Sequence, residues 1–420
     1  FSWGADVQHD IIMDEMREWS LVDSAGYASP RPPDSLGYTN PELQPNQLIP
    51  LRNRIRANND VQSQRYSAYV QNEKRWVNAT GAIWTLNAGA RANFWSFNEQ
   101  WVGGPRVLMS YTPVWTQQRI NKEGKVDSVR KDMVLTASWG YYWQPAFYRE
   151  MRGLSGAVNP EIRAQKSIHY IVGANYVFQA WGRPFKLNSE LYYKQLRDLV
   201  PYEVENVRLR YFATNNSNGY AYGMDVMLNG EFIKNVQSWA RVSYLKTEED
   251  LTDDFYYIYR NTDGDTIYPG YTLNTTVEDS IRVTPGFIPR PNDQRVSCSL
   301  LFQDEMKKKP WYKVLMSLYF STGVPFGPPS NERYLDVSRT RSYIRADIGF
   351  SRDLILEKNR NKNWFSSTFK KGYVAIEIFN LLGTNNIINH QWIEDVNGRQ
   401  YGIPTYLTGR RINLRLNLSF

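Results

Sequence analysis

The chain has 420 residues, of which Phe, Trp and Tyr make up 15%, yet its mean hydropathy is only −0.56. No apolar run reaches the roughly 18 residues of a spanning helix, so the sequence excludes a membrane protein built from helices. The net charge of +8 is modest and scattered, which argues against a nucleic-acid-binding surface. The single cysteine, Cys298, excludes an internal disulfide and a cysteine-based metal site.

Segments in which apolar and polar residues alternate recur along the whole chain. A strand repeats every two residues, so each segment predicts a ribbon with one apolar and one polar face. No stretch shows helical periodicity, and the count is about fourteen strands, each long enough to cross a bilayer at a tilt. In chain order the segments lie near residues 1–18, 61–77, 84–94, 106–117, 131–146, 168–178, 185–194, 220–229, 238–249, 295–303, 312–321, 344–351, 374–378 and 411–420.

The connections between these segments alternate in length. Short turns near one rim and long loops at the other are typical of an outer-membrane barrel, whereas a soluble sandwich seldom carries several loops longer than about 15 residues. The predicted short turns lie near residues 78–81, 180–183, 233–237 and 303–310. The predicted long loops, rich in Pro, Gly, Asn and Asp, are 23–60, 149–163, 199–218, 248–292 and 323–340.

The last ten residues, 411–420, alternate without an error and end on the aromatic Phe420. Such a strand fits a soluble sandwich, with the apolar face as its core, or a barrel, with the apolar face toward lipid. The loop lengths favour the barrel. A slip of one residue would reverse every side chain of a strand. We therefore expect Leu414, Ile348, Val314 and Cys298 to face lipid, and Arg415, Asp347, Lys313 and Ser299 to face the lumen.

Several motifs resemble those of TonB-dependent outer-membrane receptors from Bacteroidetes-like bacteria. Residues 65–72 followed by 86–91 resemble the family's YxQD and LxxGxR hairpin, with Asn72 where the pattern has Asp. Residues 376–383 resemble the segment of its penultimate strand, and 407–411 lead into the last strand. The stretch from Tyr192 to Tyr211 looks like the non-SusC branch. The resemblance covers essentially the whole chain.

This resemblance implies a barrel of 22 strands, an N-terminal plug and a segment that contacts TonB. Residues 1–420 would then be the C-terminal portion of one barrel, about its last fourteen strands, without the plug and the early strands. The chain begins at Phe1, with neither Met nor a signal-peptide pattern, as expected for part of a longer protein. Unpaired strand edges are not viable in lipid, so either the chain is incomplete, which we favour, or a second chain completes the barrel.

The expected function is import of a solute across the bacterial outer membrane with energy from TonB, without a catalytic residue, cofactor or metal. A plug-less porin or secretion-associated barrel is the first alternative, and a soluble all-β carbohydrate-binding protein is a weaker one. Expected partners are outer-membrane lipid, the TonB complex through the N-terminal region, and a small solute, glycan, siderophore or peptide. A surface lipoprotein is a further option, and nucleic acid is not expected.

Residues on long loops and on the lumen wall are the candidates for binding solute, because recognition concentrates on loops that a rigid scaffold holds. Aromatic rings offer contact area for sugars or peptides, although many rings in a barrel belong to the interfacial girdle. Lumen cations attract anions, or pair with nearby carboxylates. The candidates are Trp95, Trp101, Tyr256, Tyr257, Tyr259, Trp392 and Tyr401 on loops, and Arg91, Arg345 and Arg415 in the lumen.

The acidic stretch from Glu248 to Asp254, and the Asp263–Asp265 pair, are weaker candidates. Oxygen ligands suit calcium, but neither segment matches a complete EF-hand loop. We therefore expect a solvated extracellular loop there.

Overall fold

A computed structural model of the chain describes residues 1–21, 51–120, 126–130, 132–205, 208–233, 236–268, 271–306, 309–330, 332–335, 338–355, 364, 368–394 and 400–419. Helical structure within these ranges includes α1 (Tyr148–Met151) and a 3₁₀ turn at Arg333–Leu335. None of the described helices is both long and apolar enough to cross a bilayer.

Fourteen antiparallel strands follow one another along a single sheet, and each pairs with the next in the sequence. The predicted number of strands is therefore confirmed. Their bounds are β1 Ser2–Leu21, β2 Leu51–Val77, β3 Ile83–Trp95, β4 Gln100–Thr112, β5 Asp132–Gln144, β6 Gln165–Ala180, β7 Arg183–Leu199, β8 Ser217–Ile233, β9 Val236–Leu251, β10 Val296–Met306, β11 Lys309–Ser321, β12 Tyr343–Asp353, β13 Lys371–Phe379 and β14 Arg411–Ser419. A short strand, Ile288–Pro289, pairs with β9 and completes a sheet of fifteen strands.

The connections form two different rims. One rim has the short connections 78–82, 181–182, 234–235 and 307–308, as expected. It also has two longer connections, 113–131 and 354–370, the first of which contains a hairpin of Thr116–Ile120 and Val126–Arg130. The other rim, here called the long-loop rim, has connections 145–164, 200–216, 252–295, 322–342 and 380–410. The tight turn 96–99 is the exception on that rim.

Two predicted loop boundaries are wrong. Residues 51–60 belong to β2, where they pair with the upper half of β1, and residues 248–251 belong to β9, where they pair with β8. Asn, Asp and Glu have low strand propensity, which is why the sequence suggested loops. Backbone hydrogen bonds along an existing neighbour strand override that preference. Both sheet segments rise toward the long-loop rim.

Strand register keeps the predicted apolar and polar sets on opposite faces. Cys298 lies opposite Val242 and Phe320, and Leu414 lies opposite Ile376. On the other face, Asp347 lies opposite Ser317. The apolar face is not covered by any layer in the described chain, and even the central Val172 and Leu191 are each 53% exposed. A soluble sandwich would bury that face as its core, so the exposure argues against the sandwich.

One glycine of the resemblance motif has a clear steric reason. Gly89 on β3 lies opposite Gln71 on β2. A Cβ at Gly89 would lie 2.6 Å from the carbonyl oxygen of Val70, which is closer than atoms can pack. The β2–β3 pairing therefore requires glycine at this position.

A small hydrophobic core lies on the inner, polar face of the sheet at the long-loop rim. Loops 145–164 and 200–216 fold inward there and bury apolar side chains against β2 and β3. Its buried members are Val61, Trp95, Ala146, Met151, Ile162, Val200 and Ala213. This core fixes both loops over the inner face, where the candidate site lies.

Candidate binding cleft on the inner face

A cleft of about 520 Å³ opens on the inner face of β1 to β6, below the inward-folded loops. Its polar side chains come from alternate positions of six neighbouring strands, as the register requires. Those side chains include Asp6, Gln8, Arg65, Ser67, Arg91, Asn93, Arg106, Tyr142, Gln144, Gln165 and Ser167.

Arg91 and Arg106 are diagonal neighbours on β3 and β4. Arg91 lies opposite Gly104, and Arg106 lies opposite Gly89. Diagonal side chains on one face of an antiparallel pair are about 7–8 Å apart, which allows both guanidinium groups to contact one ligand. The two opposing glycines add no side-chain bulk between them. The pair is therefore a concentrated positive charge within the cleft.

Neither arginine of this pair has a carboxylate partner within the described residues. Arg91 donates hydrogen bonds to Asn93 Oδ1 and Ser67 Oγ, each at 3.3 Å. The Arg106 guanidinium lies 4.3 Å from the ring centroid of Tyr142, and that ring stacks on His169 at 4.1 Å. Neutral contacts orient both cations without neutralising them, so their charge remains available to an anion.

Arg65, at the upper edge of the cleft, has a different role. Its guanidinium lies 5.1 Å from the Trp95 ring, 3.8 Å from Asp10, and donates to the Ala146 carbonyl at 3.0 Å. Because Ala146 belongs to loop 145–164, Arg65 joins the strand wall to the inward-folded loop. It is primarily a structural cation.

The loop that carries α1 is held to β1 and β2 by a polar cluster. The Tyr148 hydroxyl donates to Asp14 at 2.6 Å, and Arg152 pairs with the same carboxylate at 2.8 Å. Asn59 donates to the Gly156 carbonyl at 2.9 Å. Burial, together with the bond to Asp14, raises the pKa of Tyr148 to about 12, so its hydroxyl stays a donor at neutral pH.

A second inward loop reaches across the inner face. Its hairpin pairs Tyr202–Glu205 with Arg208–Tyr211. Arg208 and Arg210 both form ion pairs with Glu18 of β1, although the hairpin follows β7. Because five strands lie between β1 and β7 along the sheet, these ion pairs bridge the interior rather than neighbouring strands.

Three loops meet at one buried ion pair. Arg333, in the 3₁₀ turn of loop 322–342, pairs with Glu249 of β9 at 2.8 Å, and both side chains are only 1% exposed. Arg333 also donates to the carbonyls of Tyr202 at 2.8 Å and Pro289 at 3.1 Å. A buried carboxylate is tolerated only when it is paired in this way. We call this group the Glu249–Arg333 tie.

A family model described as TonB dependent receptor-like, beta-barrel, matches residues 1–381. The chain belongs to this TonB-dependent receptor family. The sheet continues beyond residue 381, where the family match ends, because β14 pairs with β13 along the nine residues Lys371–Phe379. Membership makes the chain an outer-membrane protein, and the long-loop rim is the extracellular rim of such barrels.

Two solved structures are similar to this chain at low sequence identity, and the first of them shows the same fold. The outer membrane transporter YddB from Escherichia coli is 11% identical, with a TM-score of 0.55 over 100% of this chain and 51% of its own. The siderophore receptor PiuA from Acinetobacter baumannii is 12% identical, with a TM-score of 0.48 over 99% and 52%. This chain thus spans about half the length of both. A search of curated proteins gives no significant sequence match.

The loop assignment of Trp95 and Trp101 is wrong, because both tryptophans lie in receptor strands. Trp95 ends β3 on the inner face, is 3% exposed, and stacks on Phe97 at 5.2 Å. Trp101 lies near the start of β4 on the outer face, is 72% exposed, and packs on Phe94 at 4.9 Å. Trp95 is therefore a core residue, and Trp101 matches the interfacial girdle.

The other aromatic candidates do lie in extracellular loops. Tyr256, Tyr257 and Tyr259 are in a hairpin of Tyr256–Asn261 and Val277–Val283, and Tyr256 stacks on Tyr334 at 4.3 Å. Trp392 and Tyr401 are in a second hairpin of Ile387–Glu394 and Gln400–Tyr406. That hairpin contacts loop 322–342 through Phe326, which stacks on His390 at 4.1 Å. The two aromatic sets are therefore separate from the arginine cleft.

The three predicted lumen arginines do not form one site. Arg345 on β12 pairs with Asp347 at 2.8 Å, and Arg415 on β14 pairs with Glu377 at 3.2 Å. Arg91 alone among the three has no acidic partner in the described part of the chain. The expected pairing of lumen cations with carboxylates thus holds for two of them.

Several important side chains were not predicted. Arg106 lies at the border of a weak alternating segment, and its pairing with Arg91 depends on register, which composition does not reveal. Nothing in the sequence indicated a role for Arg333, because its loop has no alternation of apolar and polar residues. Glu249 was assigned to a solvated acidic loop, and this assignment is wrong: it is a buried strand residue paired with Arg333 and, at 3.4 Å, with Arg290. Across the described ranges, no cluster of metal-ligating residues occurs.

Proposed function

We propose that this chain forms the C-terminal part of the barrel of an active importer, which takes up anionic solutes through the outer membrane with energy from TonB. The observation that carries the proposal is the Arg91–Arg106 pair, two cations without acidic partners among the described residues, in a cleft beneath inward-folded loops. A positive cleft with low-dielectric walls concentrates anions and raises their rate of capture. No chemistry on the solute is involved.

The inward loops favour gated import over a passive pore. Loops 145–164, 200–216 and 322–342 are joined to the inner face by Asp14, Glu18 and Glu249, so they lie over the path from the extracellular rim to the cleft. A porin needs a path that stays open, whereas a gated importer moves its barrier during each cycle. The aromatic hairpins at the rim would meet the solute first.

An uptake assay tests this proposal. Cells that carry the wild-type protein, an Arg91→Gln/Arg106→Gln variant or an Arg241→Gln control are given a panel of anionic and neutral solutes. Arg241 is on the inner face but already pairs with Asp225 at 3.1 Å, so its loss should leave uptake of anions unchanged. We expect the double variant to take up anions about tenfold more slowly, since two charge-assisted contacts are lost.

Two outcomes would contradict the proposal in different ways. Unchanged uptake of anions by the double variant would show that the arginines serve another partner, such as carboxylates of a plug. Uptake that persists at the same rate in cells without TonB would favour the plug-less porin instead. Loss of all uptake in those cells, with normal outer-membrane levels of the protein, supports energised import.

We also propose that further strands and an N-terminal plug complete this barrel. Within the described residues, β1 and β14 each pair on one side only, and such open backbone edges are not tolerated in hydrocarbon. The intact mass of the protein purified from outer membranes tests this. A mass well above 49.1 kDa supports a longer chain, whereas a mass equal to 49.1 kDa would show that a partner chain closes the barrel. The surface lipoprotein stays a prediction.

A further inference from the structure

The outer face of β6 and β7 carries two cations directly opposite each other at the extracellular rim. Lys166 on β6 is the register partner of Arg197 on β7. Directly opposite side chains have Cβ atoms about 4.5–5.5 Å apart, and like charges in this arrangement repel. By register both residues lie on the apolar side of the sheet, in line with Tyr170 and Tyr193, and Lys166 also borders the edge of the inner cleft.

Neighbouring aromatic rings contact the Lys166 ammonium without neutralising it. The Lys166 ammonium lies 4.5 Å from the Tyr141 ring and 5.0 Å from the Trp143 ring. Of the acids nearby, Asp198 is already paired with Arg163 at 2.8 Å. No carboxylate pairs with either cation in the part of the chain that the structure describes.

The next basic group around the rim shows the contrast. Lys246 and Arg295 both pair with Glu248, at 3.1 and 3.3 Å. The charges of that group are largely balanced within the protein. The Lys166–Arg197 pair, by comparison, has no balancing carboxylate among the described residues, so its charge is available to an external anion.

An apolar groove of about 670 Å³ lies on the same face, directly below the two cations. Its upper row is Trp139, Tyr170, Tyr193 and Tyr222, which face one another across β5 to β8. In the row below, the small Ala137 lies between Met109 and Val172 and creates the depression. From Lys166 to Tyr170 is four residues, or about 13 Å along a strand.

We propose that this surface binds a phosphorylated glycolipid of the outer leaflet, with a phosphate on Lys166 and Arg197 and an acyl chain in the groove. The two cations lie at the headgroup level and the groove lies at the level of the chains, so one amphipathic molecule matches both. A phosphate bridging the cations also removes their mutual repulsion. Basic residues beside apolar membrane surface are the usual means of recognising anionic lipid headgroups.

A second depression strengthens the match. It has a volume of about 360 Å³ and is lined by Arg197, Tyr220 and Phe287, and Tyr193 lines both depressions. The two depressions therefore adjoin at Tyr193, and Arg197 borders the second of them. A lipid with several acyl chains on one phosphorylated headgroup would occupy both.

Retention of lipid by the full protein, purified from outer membranes in mild detergent, tests the proposal. Native mass spectrometry is used to titrate the protein with the acylated glucosamine disaccharide of the outer leaflet in its phosphorylated form. We expect Lys166→Gln/Arg197→Gln to bind it about tenfold more weakly. Lys194→Gln removes a cation from the inner face of the same strand and should bind like wild type. Resistance of the folded barrel to unfolding in cold SDS confirms that each variant is folded.

One groove variant and two further ligands distinguish binding of the glycolipid from binding of a free anion. Ala137→Leu fills the groove from an exposed position, and we expect it to weaken glycolipid binding while leaving the two cations intact. The dephosphorylated glycolipid should bind as weakly to wild type as the phosphorylated form does to the double variant. Equal binding of both lipid forms to wild type would overturn the proposal, because the cations would then have no part. A different result would also overturn the proposal: wild type binds inorganic phosphate, and Ala137→Leu binds the glycolipid as well as wild type does. That result would show that the site takes a free anion.

Discussion

Removal of Arg333 should release loop 322–342 from the inner face. The variant Arg333→Met keeps the length of the side chain but leaves Glu249 in a buried site with two weaker partners, Arg290 and the Ser217 hydroxyl, each 3.4 Å away. It also removes the hydrogen bonds to the carbonyls of Tyr202 and Pro289. Breaking a buried pair costs about 3–5 kcal/mol when the remaining charge is left uncompensated, and the contact with Arg290 places this variant at the lower end of that range. Such a cost raises the population of the released loop by about a hundredfold or more.

Hydrogen–deuterium exchange of the intact protein in detergent measures this release. Peptides that contain residues 247–251 and 332–335 should exchange about a hundredfold faster in Arg333→Met than in wild type. Arg260→Met is the matched control, since Arg260 is an exposed arginine in a neighbouring extracellular hairpin. The double variant Glu249→Leu/Arg333→Met should recover part of the protection, because an apolar pair of similar volume often replaces a buried ion pair without loss.

Unchanged exchange in Arg333→Met would refute the reasoning, since it would show that the loop is held elsewhere. Faster exchange across every strand, rather than in these peptides, would also refute it. That pattern would mean that the Glu249–Arg333 tie stabilises the whole sheet, rather than only the three loops that meet at it.

The other predictions concern separate parts of the molecule. Gly89→Val should destabilise the β2–β3 hairpin by about 1–3 kcal/mol, since its side chain would overlap Val70. The Gly89→Val protein should therefore unfold in SDS at a lower temperature than wild type. The control Gly409→Ala should not, because no atom lies near the position of its Cβ. Because the pKa of Tyr148 is raised from 10.0 to about 12, its contribution to docking of loop 145–164 is complete below pH 10 and is lost as the pH rises through about 12. Exchange of residues 148–151 between pH 9 and 12 measures this, with Tyr148→Phe as the pH-insensitive reference. Trp101→Ala should leave solute uptake unchanged, since its ring faces outward, and a loss of uptake at normal protein levels would contradict that assignment.

The sequence predicted the wall of the barrel well, because each strand in lipid has to alternate along its own length. Ile348, Leu414 and Cys298 are on the face that their alternation indicates, and the number of strands was right. Face and strand number are local properties, since they depend on residues two apart. Segment ends were less certain where polar residues continue a strand, as at Glu249.

The candidate site could not be predicted in the same way, because it depends on register and on loop paths. Arg91 was a candidate, but nothing in the sequence shows that Arg106 is its diagonal neighbour. Arg333 meets Glu249 across 84 residues of sequence, through a loop without periodicity. Trp95 was a candidate for binding solute but is a core residue. An aromatic residue at a strand end has the same sequence context whether it contacts solute or a folded loop.

The Glu249–Arg333 tie has a practical consequence for modifying the receptor surface. It fastens loop 252–295 near its base, at Pro289, whereas the tip of the Tyr256–Asn261 hairpin lies beyond it. At that tip, Gly264 has a φ of +82° and no atom within 4 Å of the position of a Cβ. The tip is therefore a suitable insertion point for an epitope or a fluorescent label, because a tag there leaves the buried fastening and the β9 pairing intact.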